Sequence, residues 1–335
     1  MTRGPGGSLI VPTFRAEVPL YAAIPDIART LSLATAGSRH DRHGASVLRN
    51  IDAKGKAFAG AWARAFAGAI SEKASSSLTP AVNGHFSGFQ IGADILGYST
   101  AWGQGRFGLF GGYASATTNV RGFAGGRNNA PVGSLSLAAT SAGAYWTHTG
   151  PGGWYIDATV TGSRYVSGGK SINGISPTTT GRGLTVSLEA GAPLRLGQGF
   201  TFEPQVQAVW RTMAIDPTKD RYATLNFRTH DGVRLRAGGR LSWEGTLGDV
   251  TLKPFVQASL WRENGAIDRT IYNQKTAIAS GSATRGADVD LGLEALFSDN
   301  LAVWASAGVT RDLKRPEGNA GRSAWRLKAG LRYQW

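Results

Sequence analysis

The chain closes on AWRLKAGLRYQW, residues 324–335. Read by twos, Trp325, Leu327, Ala329, Leu331, Tyr333 and Trp335 share one face, and Arg326, Lys328, Gly330, Arg332 and Gln334 share the other. A period of two is that of a β-strand with one apolar and one polar face. Such a strand fits either a soluble sandwich or a transmembrane barrel that is apolar outside and polar inside. The rest of the chain decides between them.

At 335 residues the chain holds either two ordinary domains or one large all-β barrel. No apolar run approaches the roughly 18 residues that a membrane helix needs. Glycine is abundant, at 47 residues beside 10 Trp, 13 Phe and 9 Tyr, which suits tight turns, closely spaced strands and aromatic anchoring. With no cysteine there is neither a disulfide framework nor a thiolate metal site. The formal charge of +14 is spread along the chain and broken by acids and apolar positions. It therefore fits an anionic lipid surface better than nucleic acid. In the opening MTRGPGGSLIVPTFRAEV, residues 9–11 are the one apolar stretch, too short for the core of a signal peptide. A protein destined beyond the inner membrane is expected to carry more sequence ahead of it.

Twelve segments repeat the period of the tail: 58–69, 85–98, 105–117, 133–148, 153–166, 181–195, 200–213, 232–245, 250–262, 286–297, 301–311 and 324–335. In one, Val233, Leu235, Ala237, Leu241 and Trp243 oppose Arg234, Arg236, Arg240 and Glu244. In another, Val289, Leu291, Leu293 and Phe297 oppose Asp288, Asp290 and Glu294. Short connections such as LGQG (196–199), TLGD (246–249) and SDN (298–300) alternate with long ones over 70–84, 118–132, 167–180, 214–231, 263–285 and 312–323. That order predicts an all-β fold, a twelve-stranded antiparallel up-and-down transmembrane barrel with tight turns at one rim and long loops at the other. A Greek-key sandwich has no reason to keep it. In hydrocarbon every backbone N–H and C=O needs a partner, so the last strand is expected to pair with the first, near residues 58–69. Trp102, Trp146, Trp154, Trp243 and Trp335 fall at the short-turn rim, and Trp210, Trp261 and Trp325 near the other, as two interfacial girdles require. Trp261 and Trp304 nevertheless have the parity of the lumen.

Residues 21–43, YAAIPDIARTLSLATAGSRHDRH, break the period. Pro25 suits the first turn of a helix, Asp26 complements its positive end, and Ile27, Leu31 and Ala34 form a stripe at i, i+4, i+7. Arg39 and Arg42 close it before Gly44. A helix over 25–42 is ~27 Å long, about the thickness of a bilayer core, with Gly37 weakening it by ~1 kcal/mol relative to alanine. Its polarity bars it from lipid, and a barrel of twelve strands has room for one helix of about 10–12 Å diameter. It is expected in the lumen as a plug; a surface helix beside the short-turn rim is the alternative.

Several motifs occur in an order and spacing that resemble the C-terminal translocator of a monomeric autotransporter, the type V secretion system. FRAEVPLY (14–21) resembles the family segment Y-R-P-E-V-P-L-Y ahead of the pore helix, with Ala16 in place of proline, and HDR (40–42) resembles its H-D/E-R close. AWARAFAG (61–68), GLFGGY (108–113), GAYWT (143–147), GWYIDA (153–158), SLEAG (187–191), FEPQVQ (202–207) and GLRYQW (330–335) follow. The resemblance implies a Gram-negative outer-membrane barrel with a helix in its pore that anchors and exports an N-terminal passenger. It divides the chain into a passenger remnant or linker (1–20), a pore helix with its connection (21–57) and the barrel (58–335). It implies that Leu331, Tyr333 and Trp335 are read by the barrel-assembly machinery, that lipid and lipopolysaccharide are further partners, and that the barrel is a monomer.

Other motifs carry less. GQGRFG (103–108) leaves a turn and enters a strand, with no helix to hold a phosphate. GGKS (168–171) follows Arg164 where a phosphate loop needs glycine, and is read as loop. His40 and His43 lack a third metal ligand and are read as solvated helix-end residues. Ser141 and His148 share a strand but stand seven residues apart, too far for a nucleophile and its base. No catalytic, cofactor or metal site is expected. Asn50 and Asp52 lie near the pore but no cleavage motif accompanies them. Arg64, Glu189, Glu203, Arg234, Arg236, Arg240 and Glu244 have lumen parity; they either grip the helix or balance one another. A stand-alone porin or adhesin and an outer-membrane hydrolase are the rival functions.

Overall fold

The computed structural model describes residues 14–44, 60–73, 78, 80–176, 178–264, 268–280, 284–298, 300–313 and 321–335. Asn50 and Asp52 lie outside the described residues. Twelve strands make the wall: β1 (Gly60–Lys73), β2 (Ala81–Thr100), β3 (Gly103–Ala124), β4 (Arg127–Thr149), β5 (Tyr155–Ser171), β6 (Thr179–Gly191), β7 (Phe200–Ile215), β8 (Gly232–Trp243), β9 (Val250–Asn264), β10 (Thr284–Leu296), β11 (Leu301–Asp312) and β12 (Gly321–Gln334). Each pairs antiparallel with its chain neighbour, and β12 pairs with β1, so the barrel closes as expected. At that seam Ala65 stands opposite Ala329 and Gly60 opposite Gln334. Two short strands, Leu194–Gly197 and Gly245–Leu247, belong to turns at the tight rim.

The faces sort by parity. Ile91, Leu109, Leu188, Leu260, Leu291 and Leu327 point outward and are each more than half exposed, with exposures of 51–61%. Trp261 and Trp304 are buried in the lumen, as their parity predicts. A bulge between Asp94 and Leu96 lets Ile95 and Leu96 both face outward while Asp94 stays inside.

The long-loop rim departs from expectation. β3 and β4 run on to a tip at Gly125 and Gly126, whose φ angles of 56° and 75° make a two-residue turn, so the long loop expected over 118–132 is a strand hairpin. GGKS is likewise strand, at the end of β5. A strand needs only about 9–11 residues to cross a bilayer. These strands of 22, 23 and 17 residues therefore stand well beyond it. The connections over 214–231 and 263–285 fold into a second sheet of four short strands, Thr218–Lys219, Thr224–Arg228, Asp268–Tyr272 and Thr276–Ser280. Sequence periodicity missed it because each strand holds five residues or fewer.

Inside the lumen lie α1 (Glu17–Ala22), α2 (Ile24–Ala36) and α3 (Arg39–His43). The single helix expected over 25–42 is thus broken at Gly37, and helical structure begins ahead of it at Glu17. Ile27 and Leu31 join Val120, Leu135, Leu137 and Met213 in an apolar cluster on the long-loop side. That part of the barrel stands clear of lipid, so its interior packs like a soluble core rather than a polar channel.

Two measurements check the architecture. Refolded protein is expected to give a β-rich circular dichroism spectrum and a gel mobility that shifts on heating in detergent. A water-soluble monomer that needs no detergent contradicts the barrel.

Candidate functional site: the occupied lumen

The segment threading the barrel is held at three levels. At the long-loop rim, Gly125 N–H donates to Phe14 O (2.8 Å) and Arg15 lies over the Tyr222 ring (4.1 Å). Glu17 Oε1 accepts from the Ser171 hydroxyl (2.8 Å) and Asn173 Nδ2 (3.0 Å). The four-stranded sheet covers α1: Leu225, Tyr272 and Ile278 are buried with Leu20 and Tyr21, Tyr21 donates to Asp220 (3.2 Å), and Tyr272 donates to Val18 O (2.9 Å). Burial pushes the Tyr272 phenol well above its ordinary range, which keeps it a donor. Deeper in the lumen, Arg29 of α2 makes a two-pronged contact with Asp268 (2.7 and 3.0 Å) and a third with His230 O (2.6 Å). Arg211 of β7 donates to Arg29 O (3.0 Å) and pairs with Glu263.

The middle level is the break. Gly37 has φ 61°, and a Cβ there would stand 2.5 Å from Arg64 Nη1. A left-handed residue in van der Waals conflict with its neighbour has to be glycine. The break leaves the last carbonyls of α2 without helical partners. The wall supplies them: Arg64 donates to Ala34 O (3.2 Å) and Thr35 O (2.9 Å), Gln90 Nε2 to Thr35 O (3.0 Å), and Gln207 Nε2 to Gly37 O (3.0 Å). A guanidinium at a helix C-terminus also opposes the negative end of the macrodipole.

The deepest level is ionic. Ser38 and Asp41 form a capping box that starts α3, and Asp41 receives Lys328 (2.9 and 3.1 Å) and lies 3.4 Å from Arg64. His40 Nε2 contacts Glu203 (2.7 Å) and its Nδ1 contacts Gly44 O (3.0 Å). Arg39 stacks on Tyr155 (4.5 Å), Arg42 pairs with Asp157, and Arg332 bonds both His43 and Asp94. His40 and His43 are therefore buried in this network rather than solvated.

The seven wall charges divide. Arg64 and Glu203 touch the threaded segment directly. Glu189 accepts from Tyr155 (2.9 Å) and Arg236 (3.2 Å), and Arg234 pairs with Asp288 (3.2 Å), so these balance wall against wall. Arg240 is buried over the Phe255 ring (3.5 Å). Glu244 lies past the end of β8 at the tight rim, largely exposed and paired with Lys253 (2.8 Å). Of the helix residues, Pro25 is in the first turn of α2, Asp26 is buried there, Ile27 and Leu31 are in the apolar cluster, and Ala34 packs on its edge. Arg29, Gln90, Asp94, Asp157, Gln207 and Arg211 carry contacts that sequence reading did not single out. Each wall member has lumen parity, which was the available signal. Beside α2 and α3 a cavity of about 190 Å³ remains, bordered by Gln207, Arg234, Arg236, Asp288, Arg326 and Lys328. Among the described residues no group of side chains is arranged to hold a metal ion. Ser141 faces the lumen, whereas His148 stacks outside against Tyr98, so the wall itself separates them.

The autotransporter beta-domain family profile matches residues 61–308. The pertactin autotransporter of Bordetella parapertussis is 28% identical over 296 residues, covering 82% of this chain and 28% of the relative's own length. An uncharacterized protein, YdeU of Escherichia coli, is 24% identical over 73% of this chain and 54% of its own length. Among solved structures, the transport unit of the autotransporter AIDA-I from Escherichia coli superposes with a TM-score of 0.75 at 20% identity, covering 96% of this chain and all of that one. The translocator domain of NalP from Neisseria meningitidis gives 0.61 at 13% identity, over 94% of this chain and 97% of that one. The chain thus spans less than a third of the length of its pertactin relative.

Arg64→Met removes the wall donor to Ala34 O and one of the two to Thr35 O, whose other donor is Gln90, a loss of about 1–3 kcal/mol for a carbonyl left unpaired. In planar bilayers this variant is expected to open more often than the parent; an unchanged record contradicts the anchoring role of Arg64.

Proposed function

Because the chain belongs to the autotransporter beta-domain family, its barrel is an outer-membrane translocator unit of a Gram-negative bacterium, and we propose that the structure is the closed, post-export state of that unit. The observation that supports this reading is the polarity of the threaded segment. It rises from α3, near the tight turns and thus the periplasmic side, to Phe14 among the long loops, the extracellular side. A passenger attached ahead of Phe14 would therefore emerge outside the cell.

The finer assignments belong to the same proposal. Residues ahead of the helices lead to a passenger, the helical segment plugs the pore, and the rest is barrel. Leu331 and Tyr333 face outward on the closing strand and Trp335 follows its end, all exposed at 45–65%, where the barrel-assembly machinery could reach them. The barrel acts as a monomer, contacts lipopolysaccharide, and performs no chemistry of its own, a view supported by the separation of Ser141 from His148. A free porin fits less well, since a porin keeps its lumen open and this one is filled by a segment tied to the wall at every level.

Two experiments test this. Deleting residues 14–43 is expected to raise single-channel conductance several-fold, and unchanged conductance would place the segment outside the lumen. A signal peptide and reporter joined ahead of Phe14 should bring the reporter to external protease, and removing residues 333–335 should abolish display; a reporter kept in the periplasm contradicts the translocator assignment.

A further inference from the structure

The outer face of β3–β6 carries a groove of about 640 Å³ at the extracellular rim. Its walls are polar or small: Ser115 and Thr117 offer hydroxyls, Ser136 and Thr180 add two more that already donate to Gly168 O and Asp216 and can still accept, and Tyr113 stands at one side. A purely lipid-facing surface has no use for four hydroxyls. Just below, Arg164 of β5 and Arg182 of β6 are direct cross-strand partners, and both point outward into solvent or headgroups. Among the described residues neither makes an ion pair or hydrogen bond to protein. Asp216, the carboxylate at the groove's upper edge, is bonded to the Thr180 hydroxyl and pairs with neither arginine. Like charges directly opposed across a ladder are destabilising unless something anionic lies between them.

Their height identifies that partner. Trp154 marks the lower girdle of β5, and Arg164 follows it by about ten residues, the length a tilted strand needs to cross the hydrocarbon. The guanidiniums therefore sit where the phosphates of the outer leaflet lie, and the hydroxyl-lined groove sits above them, at the level of sugars. We propose that this groove binds a phosphorylated glycolipid of the outer leaflet, with Arg164 and Arg182 clamping one phosphate by paired N–H donors and the hydroxyls facing the sugar. Such a lipid would fix the rotational setting of the β3–β4 hairpin against the bilayer.

The proposal rests on the outer-membrane placement but can fail without it. The folded barrel in detergent is mixed with bisphosphorylated lipid A, with its dephosphorylated counterpart, and with inorganic phosphate, and binding is read by native mass spectrometry. The expected result is retention of the phosphorylated lipid, at least ten-fold weaker retention of the dephosphorylated one, and no displacement by millimolar phosphate. R164Q/R182Q should weaken retention ten-fold or more, while R121Q/R127Q at the hairpin leaves it unchanged. Equal retention of both lipids, displacement by phosphate, or equal losses in the two double variants would overturn the site. Heat-modifiable mobility of each variant shows that its barrel, and with it the translocator reading, stands independently.

Discussion

Everything in this molecule follows from the cost of an unpaired peptide group in hydrocarbon. Each unsatisfied N–H or C=O there costs several kcal/mol. A sheet in the membrane consequently cannot have an edge, and the pairing of β12 with β1 is the condition for every other strand to remain. Closure fixes two further properties. The outward residues must be apolar, which sets the alternation, and the inward residues must find partners within a lumen too wide for twelve strands' side chains to fill alone.

The threaded segment supplies those partners, and its own irregularity is part of the fit. A continuous helix would keep its carbonyls to itself. Broken at Gly37, it offers the wall acceptors at Ala34, Thr35 and Gly37, and Arg64, Gln90 and Gln207 take them. Below the break the contacts are ion pairs, among them Asp41 with Lys328 and Arg42 with Asp157, beside the hydrogen bond between His40 and Glu203. Buried ion pairs contribute little net stability after desolvation but are costly to break singly. They hold the segment at one height and one rotation. Above the break, the apolar faces of α1 and α2 are covered by β3–β7 and by the loop sheet, so this half is held mainly by burial.

Much of this was legible in the sequence, because period-two alternation is a long-range, redundant signal. Twelve strands, the outward Leu327 and Leu331, and the inward Trp261 and Trp304 followed from parity, and the seam from the need to pair every backbone group in hydrocarbon. What parity did not carry is instructive. Gly37 read as a modest propensity penalty, but a wall arginine packed against its missing Cβ turns it into a break. His40 and His43 read as solvated helix-end residues because nothing near them in the chain offers a partner; the carboxylate and guanidinium they contact come from β7 and β12, more than 160 residues away. The strands of the loop sheet are too short for a period to register, and the β3–β4 hairpin looked like a loop because Gly125 and Gly126 sit amid polar residues. Glu244 has the right parity but lies beyond the strand end, where parity no longer assigns a face.

The central claim is that the N-terminal segment occupies the lumen with its start outward. Cross-linking in intact membranes tests it most directly, on a chain with no native cysteine. Glu17→Cys with Ser171→Cys, and Asp41→Cys with Lys328→Cys, should each join through a short bismaleimide, since those side chains touch in the structure. The exchanged pairs, Glu17→Cys with Lys328→Cys and Asp41→Cys with Ser171→Cys, should stay unlinked. Linking in the exchanged pairs, or in none, would contradict the account.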